Sequence, residues 1–284
     1  MLVEIAVGDA YGAGFEYVAA PIVEAANTVT GYVRHPRHDG VRPGSYTDDT
    51  QMTIAVAEVL VSGLPWTREH LADAFVTAFH RDRRDGYAGG FHRLLLDVSD
   101  GAELLARLRP ASERNGAAMR VGPLGLLPTV DDVLHHAEVQ ARITHDTPIG
   151  VEAAQAAALA VHYCHHDLGP VVDTGRWIER QLAARGGAVE WSLPWRGKVD
   201  DRADQAVRAA ITALVASTGL RELLHACVAH TGDVDTVAAI AMSAASRAAA
   251  ITDDLPAALY DDLEDGPYGR TFLSDLDTRL LTAV

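Results

Sequence analysis

The stretch "GSYTDDTQMTIAVAEVL", residues 44–60, sets two adjacent carboxylates, Asp48 and Asp49, between two threonines and just ahead of an apolar helical run. Like charges side by side raise the free energy unless a cation or a set of N–H donors lies close by. Ordinary helix starts use Asp in this way, accepting from free backbone N–H groups and complementing the helix dipole. The chain supplies its own control: Asp-Asp occurs five times, at 48–49, 131–132, 200–201, 253–254 and 261–262, and "TDD" recurs as Thr252-Asp253-Asp254. Taken alone, the first pair reads as a helix cap.

A second cluster shifts that balance. "HTGDVDTVAAIAMSAAS", residues 230–246, carries Asp233, Asp235 and Thr236 into another alanine-rich helix after a glycine. With Thr47, Asp48 and Asp49 this makes two copies of one pattern: paired Asp and a Thr at the start of an apolar helix. Six hard oxygen ligands with no imidazole or thiolate suit Mg²⁺, Mn²⁺ or Ca²⁺ rather than zinc or copper. Four carboxylates would overcharge one divalent ion, whereas two ions roughly 3.5–4 Å apart can activate a water and grip substrate oxygens. The third piece is "GDAYGAGFEY", residues 8–17, in which Gly8, Gly12 and Gly14 read as a glycine-rich turn open to close backbone approach. Glu16 follows it, where a general acid or base can be held.

These pieces are positioned by helices. Apolar residues recur at helical spacing over 50–62, 67–81, 129–141, 148–163, 202–217, 220–229, 234–250 and 268–281. Strand-like alternation is nearly absent, with "TVTGYV" at 28–33 the one fair candidate, so the fold is expected to be all-α. Residues 185–201 read as an irregular connection, too short and too apolar for an interdomain linker, and one domain over 1–284 is expected.

The bulk numbers exclude some classes. Lys+Arg 24 against Asp+Glu 39 gives a net charge of −15, which disfavours nucleic acid and anionic membranes as partners. No apolar run approaches the ~18 residues that a membrane span needs, and no signal peptide is evident, so a cytoplasmic location is expected. Cys164 and Cys227 lack a motif and read as buried thiols. "HYCHHD" at 162–167 invites a zinc reading but has no second ligand group, and suits a helix C-terminus instead. A single Glu-x-x-His, Glu222 to His225, disfavours a di-iron bundle, and the absence of G-x-S-x-G disfavours a serine hydrolase.

Together the motifs resemble the ADP-ribosylglycohydrolase family, the group that includes dinitrogenase reductase-activating glycohydrolase. The matching segments are "GDAYGAGFEY" at 8–17, "YTDDT" at 46–50, "NGAAMRVGPLGL" at 115–126, "ITHDTPIGVEAAQAAALAV" at 143–161 and "HTGDVDTVAAIA" at 230–241, with "RDRRDGYAGGF" at 81–91 a looser match. The resemblance implies a compact, single-domain orthogonal multi-helix bundle holding two Mg²⁺ or Mn²⁺ ions at the bottom of a cleft. It implies Thr47, Asp48, Asp49, Asp233, Asp235 and Thr236 as metal ligands. Asn115, Gly116, Met119 and His145 are implied as substrate contacts, and Glu16, Asp48 and Asp235 as the catalytic carboxylates.

The implied activity is hydrolysis of the glycosidic bond at C1″ of ADP-ribose, releasing it from a protein side chain such as arginine or from a small-molecule conjugate. A non-catalytic ADP-ribose or nucleotide binder on the same fold is the alternative, and a helical scaffold with acidic caps is a third reading. Three positions depart from the family pattern: Thr231 stands where a glycine is usual, Met242 replaces a helix glycine near the metals, and Tyr11 is expected as a bulky residue at the cleft mouth.

Overall fold

Helical periodicity over most of the chain becomes fourteen α-helices in a computed structural model that describes residues 1–284. In chain order they are α1 (Leu2–Ala13), α2 (Ala20–Ala26), α3 (Asp48–Ser62), α4 (Arg68–Arg81), α5 (Gly89–Asp97), α6 (Gly101–Arg107) and α7 (Val130–Thr144). There follow α8 (Pro148–His165), α9 (Thr174–Ala183), α10 (Ala203–Ala216), α11 (Leu220–Ala229), α12 (Val234–Ala245), α13 (Ala257–Asp261) and α14 (Arg270–Ala283). No strand forms, and the fold is all-α as the spacing predicts.

The helix starts show why these segments fold where they do. Thr67, Thr129 and Thr147 each accept a hydrogen bond from the N–H three residues on, which satisfies an otherwise orphaned donor at the start of α4, α7 and α8. The α12 run predicted to residue 250 stops at Ala245, because the N–H groups of Arg247 and Ala248 bond three residues back and tighten the chain into turns.

Every residue of α12 is buried, and α8 is sheathed on most sides by small alanines. Around these two the remaining helices pack into one core of 81 buried residues. The closest approach is α1 on α12. A Cβ on Gly12 would lie 2.4 Å from Asp235 Cα, and one on Gly8 would lie 2.9 Å from both Ala238 O and Met242 Cγ. The two glycines are one helical turn apart and therefore share a face. They lie inside α1, which corrects the reading of 8–17 as a turn: the small residues serve helix–helix contact, and only Gly14 follows the helix. Met242 packs its side chain onto Gly8, so the departure at 242 is absorbed by the helix opposite.

Two further expectations are overturned. Residues 28–33 are irregular, not a strand: Val29 adopts φ +51, and its N–H is held by the Tyr11 hydroxyl at 2.9 Å. Tyr11 itself is fully buried, donates to Asn27 Oδ1 at 3.0 Å, and lies away from the cleft mouth. Cys164 and Cys227 are free and buried, and the 162–167 histidines lie at the end of α8. No helix is long and apolar enough to cross a membrane.

Candidate active site and metal centre

The two Asp-Thr motifs meet because α1 lies between the starts of α3 and α12. Asp9 makes the first join. It is fully buried, and its carboxylate accepts from Thr47 N–H at 3.0 Å, Thr47 Oγ1 at 2.7 Å, Thr50 N–H at 2.9 Å and Thr50 Oγ1 at 2.6 Å. α3 is therefore capped in trans by a residue of α1, and neither Thr47 nor the two following aspartates cap it themselves. That frees the Asp48 and Asp49 side chains for another use.

The other Thr-Asp-Asp is an informative contrast. Asp254 accepts from Arg221 N–H at 2.9 Å and Asp253 from the Tyr260 hydroxyl at 2.9 Å, both on the exposed surface. Asp48 and Asp49 are buried instead. The second join is Gly12 against Asp235, described above, and the third runs through the chain at Val199. Val199 N–H donates to Thr231 O at 3.0 Å and Asp233 N–H donates to Val199 O at 3.0 Å. Gly232, at φ +92, leaves no room for a Cβ, which would sit 1.8 Å from Val199 O.

These joins surround a cleft of about 800 Å³. Glu16, Asp48, Asp49, Asn115, Gly116, Met119, His145, Asp233, Asp235 and Thr236, all expected from sequence, line it. Thr47 is not among them, and its hydroxyl donates to Asp9 Oδ1 at 2.7 Å. Glu16, Asp233 and Asp235 approach so closely that one oxygen from each lies within 4.8 Å of the others. Asn115 Nδ2 donates to Asp233 Oδ2 at 2.9 Å. The Asn115 side chain thus orients a carboxylate.

The electrostatics are severe. Burial first, and the neighbouring carboxylates second, push Asp48, Asp49 and Asp235 well above the usual carboxylate range. Burial also raises Asp9 and Asp233, though their hydrogen bonds oppose it. Glu16 is pushed up to about 7 by burial, then by the charges of Asp233 and Asp9. Against these six acids stands Arg120, the one Lys or Arg among the buried residues, with its own value lowered to about 9 by burial. A buried charge without a counter-charge costs several kcal/mol, so the cluster calls for added positive charge.

Two atoms say where. Asp49 Oδ1 and Asp235 Oδ1 are buried with no hydrogen-bond partner, one from each motif. Orphaned carboxylate oxygens of this kind, with hydroxyls and further carboxylates beside them, fit hard divalent cations.

Sequence reasoning passed over three contributors. Asp9 stood inside the quoted "GDAYG" segment, and Arg120 closes "NGAAMR". The third is the loop at 85–87: Asp85 O accepts from Asp48 N–H at 3.1 Å, and Gly86, at φ +107, passes so close that a Cβ would sit 2.0 Å from Asp48 Oδ1. Tyr87 then donates to Gln51 Oε1 at 2.6 Å on the cleft wall.

The class these features define is an all-α bundle whose paired acidic helix starts meet around one cleft. The chain belongs to the ADP-ribosylglycohydrolase family, whose model matches residues 1–284. It is 29% identical over 165 residues to ADP-ribosylhydrolase ARH3 of Xenopus tropicalis, covering 52% of this chain and 47% of that protein. Against ADP-ribosylhydrolase ARH3 of Mus musculus it is 33% identical over 171 residues, covering 55% and 45%. The matched region thus spans about half the length of these curated relatives. An uncharacterized protein of Archaeoglobus fulgidus matches nearly end to end, 25% identical over 295 residues, covering 97% and 93%. Among solved structures, a chain of an ADP-ribosylglycohydrolase-related protein complex shares the fold, with a TM-score of 0.73 at 21% identity, over 99% of this chain and 94% of that one.

Proposed function

We propose that this protein is a metal-dependent ADP-ribosylhydrolase that cleaves the glycosidic bond at C1″ of ADP-ribose and frees it from a protein side chain or a small-molecule conjugate. The observation that carries this reading is the pair of unpartnered buried oxygens, Asp49 Oδ1 and Asp235 Oδ1, at the floor of the cleft. Two Mg²⁺ or Mn²⁺ ions would be held by Thr47, Asp48, Asp49, Asp233, Asp235 and Thr236, the Thr47 hydroxyl donating to Asp9 and keeping its oxygen lone pairs for an ion. When bound, such ions offset the carboxylate charge and acidify a bound water.

The chain's own residues have separate tasks. The scissile carbon develops oxocarbenium character, so the surrounding acids stabilise the charge that grows there. One carboxylate among Glu16, Asp48 and Asp235 would take a proton from the attacking water. Glu16 stands apart from the other two in being only part-buried, on the turn after α1. Asn115 holds Asp233 in place, while Gly116, Met119 and His145 form the wall against which the nucleotide part would lie. The cleft volume of about 800 Å³ falls within the range of small-molecule sites.

The test is release of ADP-ribose from arginine- and serine-linked peptides and from small conjugates, with Mg²⁺, Mn²⁺ or EDTA present. Metal-supported turnover that disappears in Asp48→Ala and Asp235→Ala is the expected result. Tight ADP-ribose binding without turnover on any substrate would instead favour a non-catalytic binder.

A further inference from the structure

Arg120 is 2% exposed, yet its guanidinium makes no ion pair in the protein. It stacks 4.5 Å over the Phe75 ring. Its Nε donates to Gln140 Oε1 at 2.6 Å, and its Nη2 donates to Gln140 O at 3.1 Å and Thr144 Oγ1 at 2.8 Å. Gln140 is locked in turn, its Nε2 donating to Ala117 O at 3.0 Å. The guanidinium therefore joins the 115–119 loop to the end of α7, where Thr144 and His145 lie.

Thr144 Oγ1 lies 2.6 Å from His145 Nδ1. An arginine can only donate, so Arg120 occupies a lone pair of the threonine oxygen and leaves its single hydrogen to be placed. The only acceptor that hydrogen has is His145 Nδ1. Were Nδ1 to carry the proton instead, a hydroxyl hydrogen that is buried with Thr144 would be left without a partner, at a cost of about 1–3 kcal/mol. The outer edge of the ring faces Gly116 across the cleft wall, where a Cβ would lie 3.1 Å from Cε1 and 3.4 Å from Nε2.

We propose that Arg120 and Thr144 are positioning residues that fix His145 as its Nε2–H tautomer, committing the ring to donate a hydrogen bond to an acceptor oxygen of the bound nucleotide sugar. Only the identity of that ligand rests on the function proposed above. The ring stays neutral while it does so: burial first, then the charges of Arg120 and Arg114, bring its value down to about 3. A neutral donor in a strongly acidic cleft binds a phosphate or hydroxyl oxygen without ion-pairing to the metal-binding carboxylates. Arg120 adds to the effect of burial, since a protonated ring would set a second cation beside the first.

Long-range ¹H–¹⁵N correlation of ¹⁵N-histidine-labelled protein reads the tautomer without any ligand, with the His145 signals assigned by their loss in His145→Gln. The wild type should show a protonated Nε2 and an Nδ1 acting as a hydrogen-bond acceptor, unchanged from pH 5.5 to pH 8. Thr144→Val should shift Nδ1 to the position of a ring nitrogen with no hydrogen-bond donor, and weaken ADP-ribose binding by roughly tenfold in calorimetry, the size of one lost or misdirected hydrogen bond. Thr144→Ser, which keeps the hydroxyl, should restore both.

Arg120→Met should give a mixed tautomer, because the threonine oxygen is then free to accept from Nδ1–H. The Thr144 pair decides the matter if that variant does not fold. A protonated Nδ1 in the wild type, or Thr144→Val and Thr144→Ser alike in both readouts, overturns the proposal. Failure of the wild type to bind ADP-ribose would count against the ligand and leave the tautomer result standing.

Discussion

Replacing Asp9 by Asn tests the join on which the whole acidic floor depends. The substitution is nearly isosteric and removes one negative charge from a fully buried site. One of its two oxygens becomes an NH₂ group, which cannot accept. If Oδ2 is the one replaced, the bonds from Thr50 N–H at 2.9 Å and Thr50 Oγ1 at 2.6 Å are lost. The hydroxyl can turn to accept, but the backbone N–H at the start of α3 is left facing another donor. A hydrogen bond to a charged acceptor contributes about 1.5–3 kcal/mol, so two amount to about 3–6 kcal/mol. Relief of the buried charge offsets part of this, because burial is the largest influence on Asp9. The net expectation is a loss of about 2–4 kcal/mol, or roughly 5–12 °C in Tm for a protein of this size. The α3 N-terminus would also slacken, carrying Asp48 and Asp49 with it. Differential scanning fluorimetry with and without Mn²⁺ measures both effects, and the Mn²⁺-induced rise in Tm should shrink in Asp9→Asn. If the variant melts within a degree of the wild type and keeps the full Mn²⁺ shift, Asp9 is not the tie described here.

Three further outcomes follow from the same geometry. Asp49→Asn and Asp235→Asn remove like charges that only a cation would offset; in EDTA both should melt at or above the wild-type temperature, while losing most of the Mn²⁺ stabilisation, about 2.7 kcal/mol at a hundredfold excess over Kd. Gly12→Ala should destabilise strongly and abolish Mn²⁺ binding, since its Cβ would meet Asp235 Cα at 2.4 Å; Gly31→Ala, with nothing within 4 Å, should melt near the wild type in the same scanning fluorimetry. In EDTA, stability should fall as pH rises. Glu16 is raised from 4.5 to about 7, so the folded state holds a proton that the unfolded state releases. Its contribution is complete below pH 4.5 and is lost on passing pH 7, by up to ~1.4 kcal/mol per pH unit for one proton. Urea midpoints between pH 4.5 and 8 measure it, and Glu16→Gln should flatten the slope.

Much of the fold is legible in the sequence because alanine and leucine repeat at helical spacing, and because threonine caps mark the starts at 67, 129 and 147. The N-terminal helix escaped that reading. Gly8, Gly12 and Gly14 look like a turn when only local propensity is weighed; Gly8 and Gly12 are small because of α12, more than two hundred residues away, and Gly14 because Val33 lies against it. Residues 28–33 alternate like a strand, yet Tyr11 and Val29 bind that segment down as a loop with no partner strand to pair with.

At the site, the paired Asp-Thr motifs could be found by counting, since the same pattern occurs twice at helix starts. What sequence could not settle was whether "TDD" at 47–49 differs from "TDD" at 252–254. The difference is Asp9, which does the capping for α3 and leaves the following acids unspent. Arg120 was invisible for a similar reason: a lone arginine after "NGAAM" gives no sign that it will be buried under Phe75 and wired to Thr144.

The central claim is that acids from two distant parts of the chain jointly hold divalent cations. Crystals soaked in Mn²⁺, with data collected at the manganese edge, test it most directly. The account predicts anomalous peaks between residues 47–49 and 233–236, with Asp49 Oδ1 and Asp235 Oδ1 in contact with an ion. A map without a peak there, or with manganese bound only elsewhere, would contradict it.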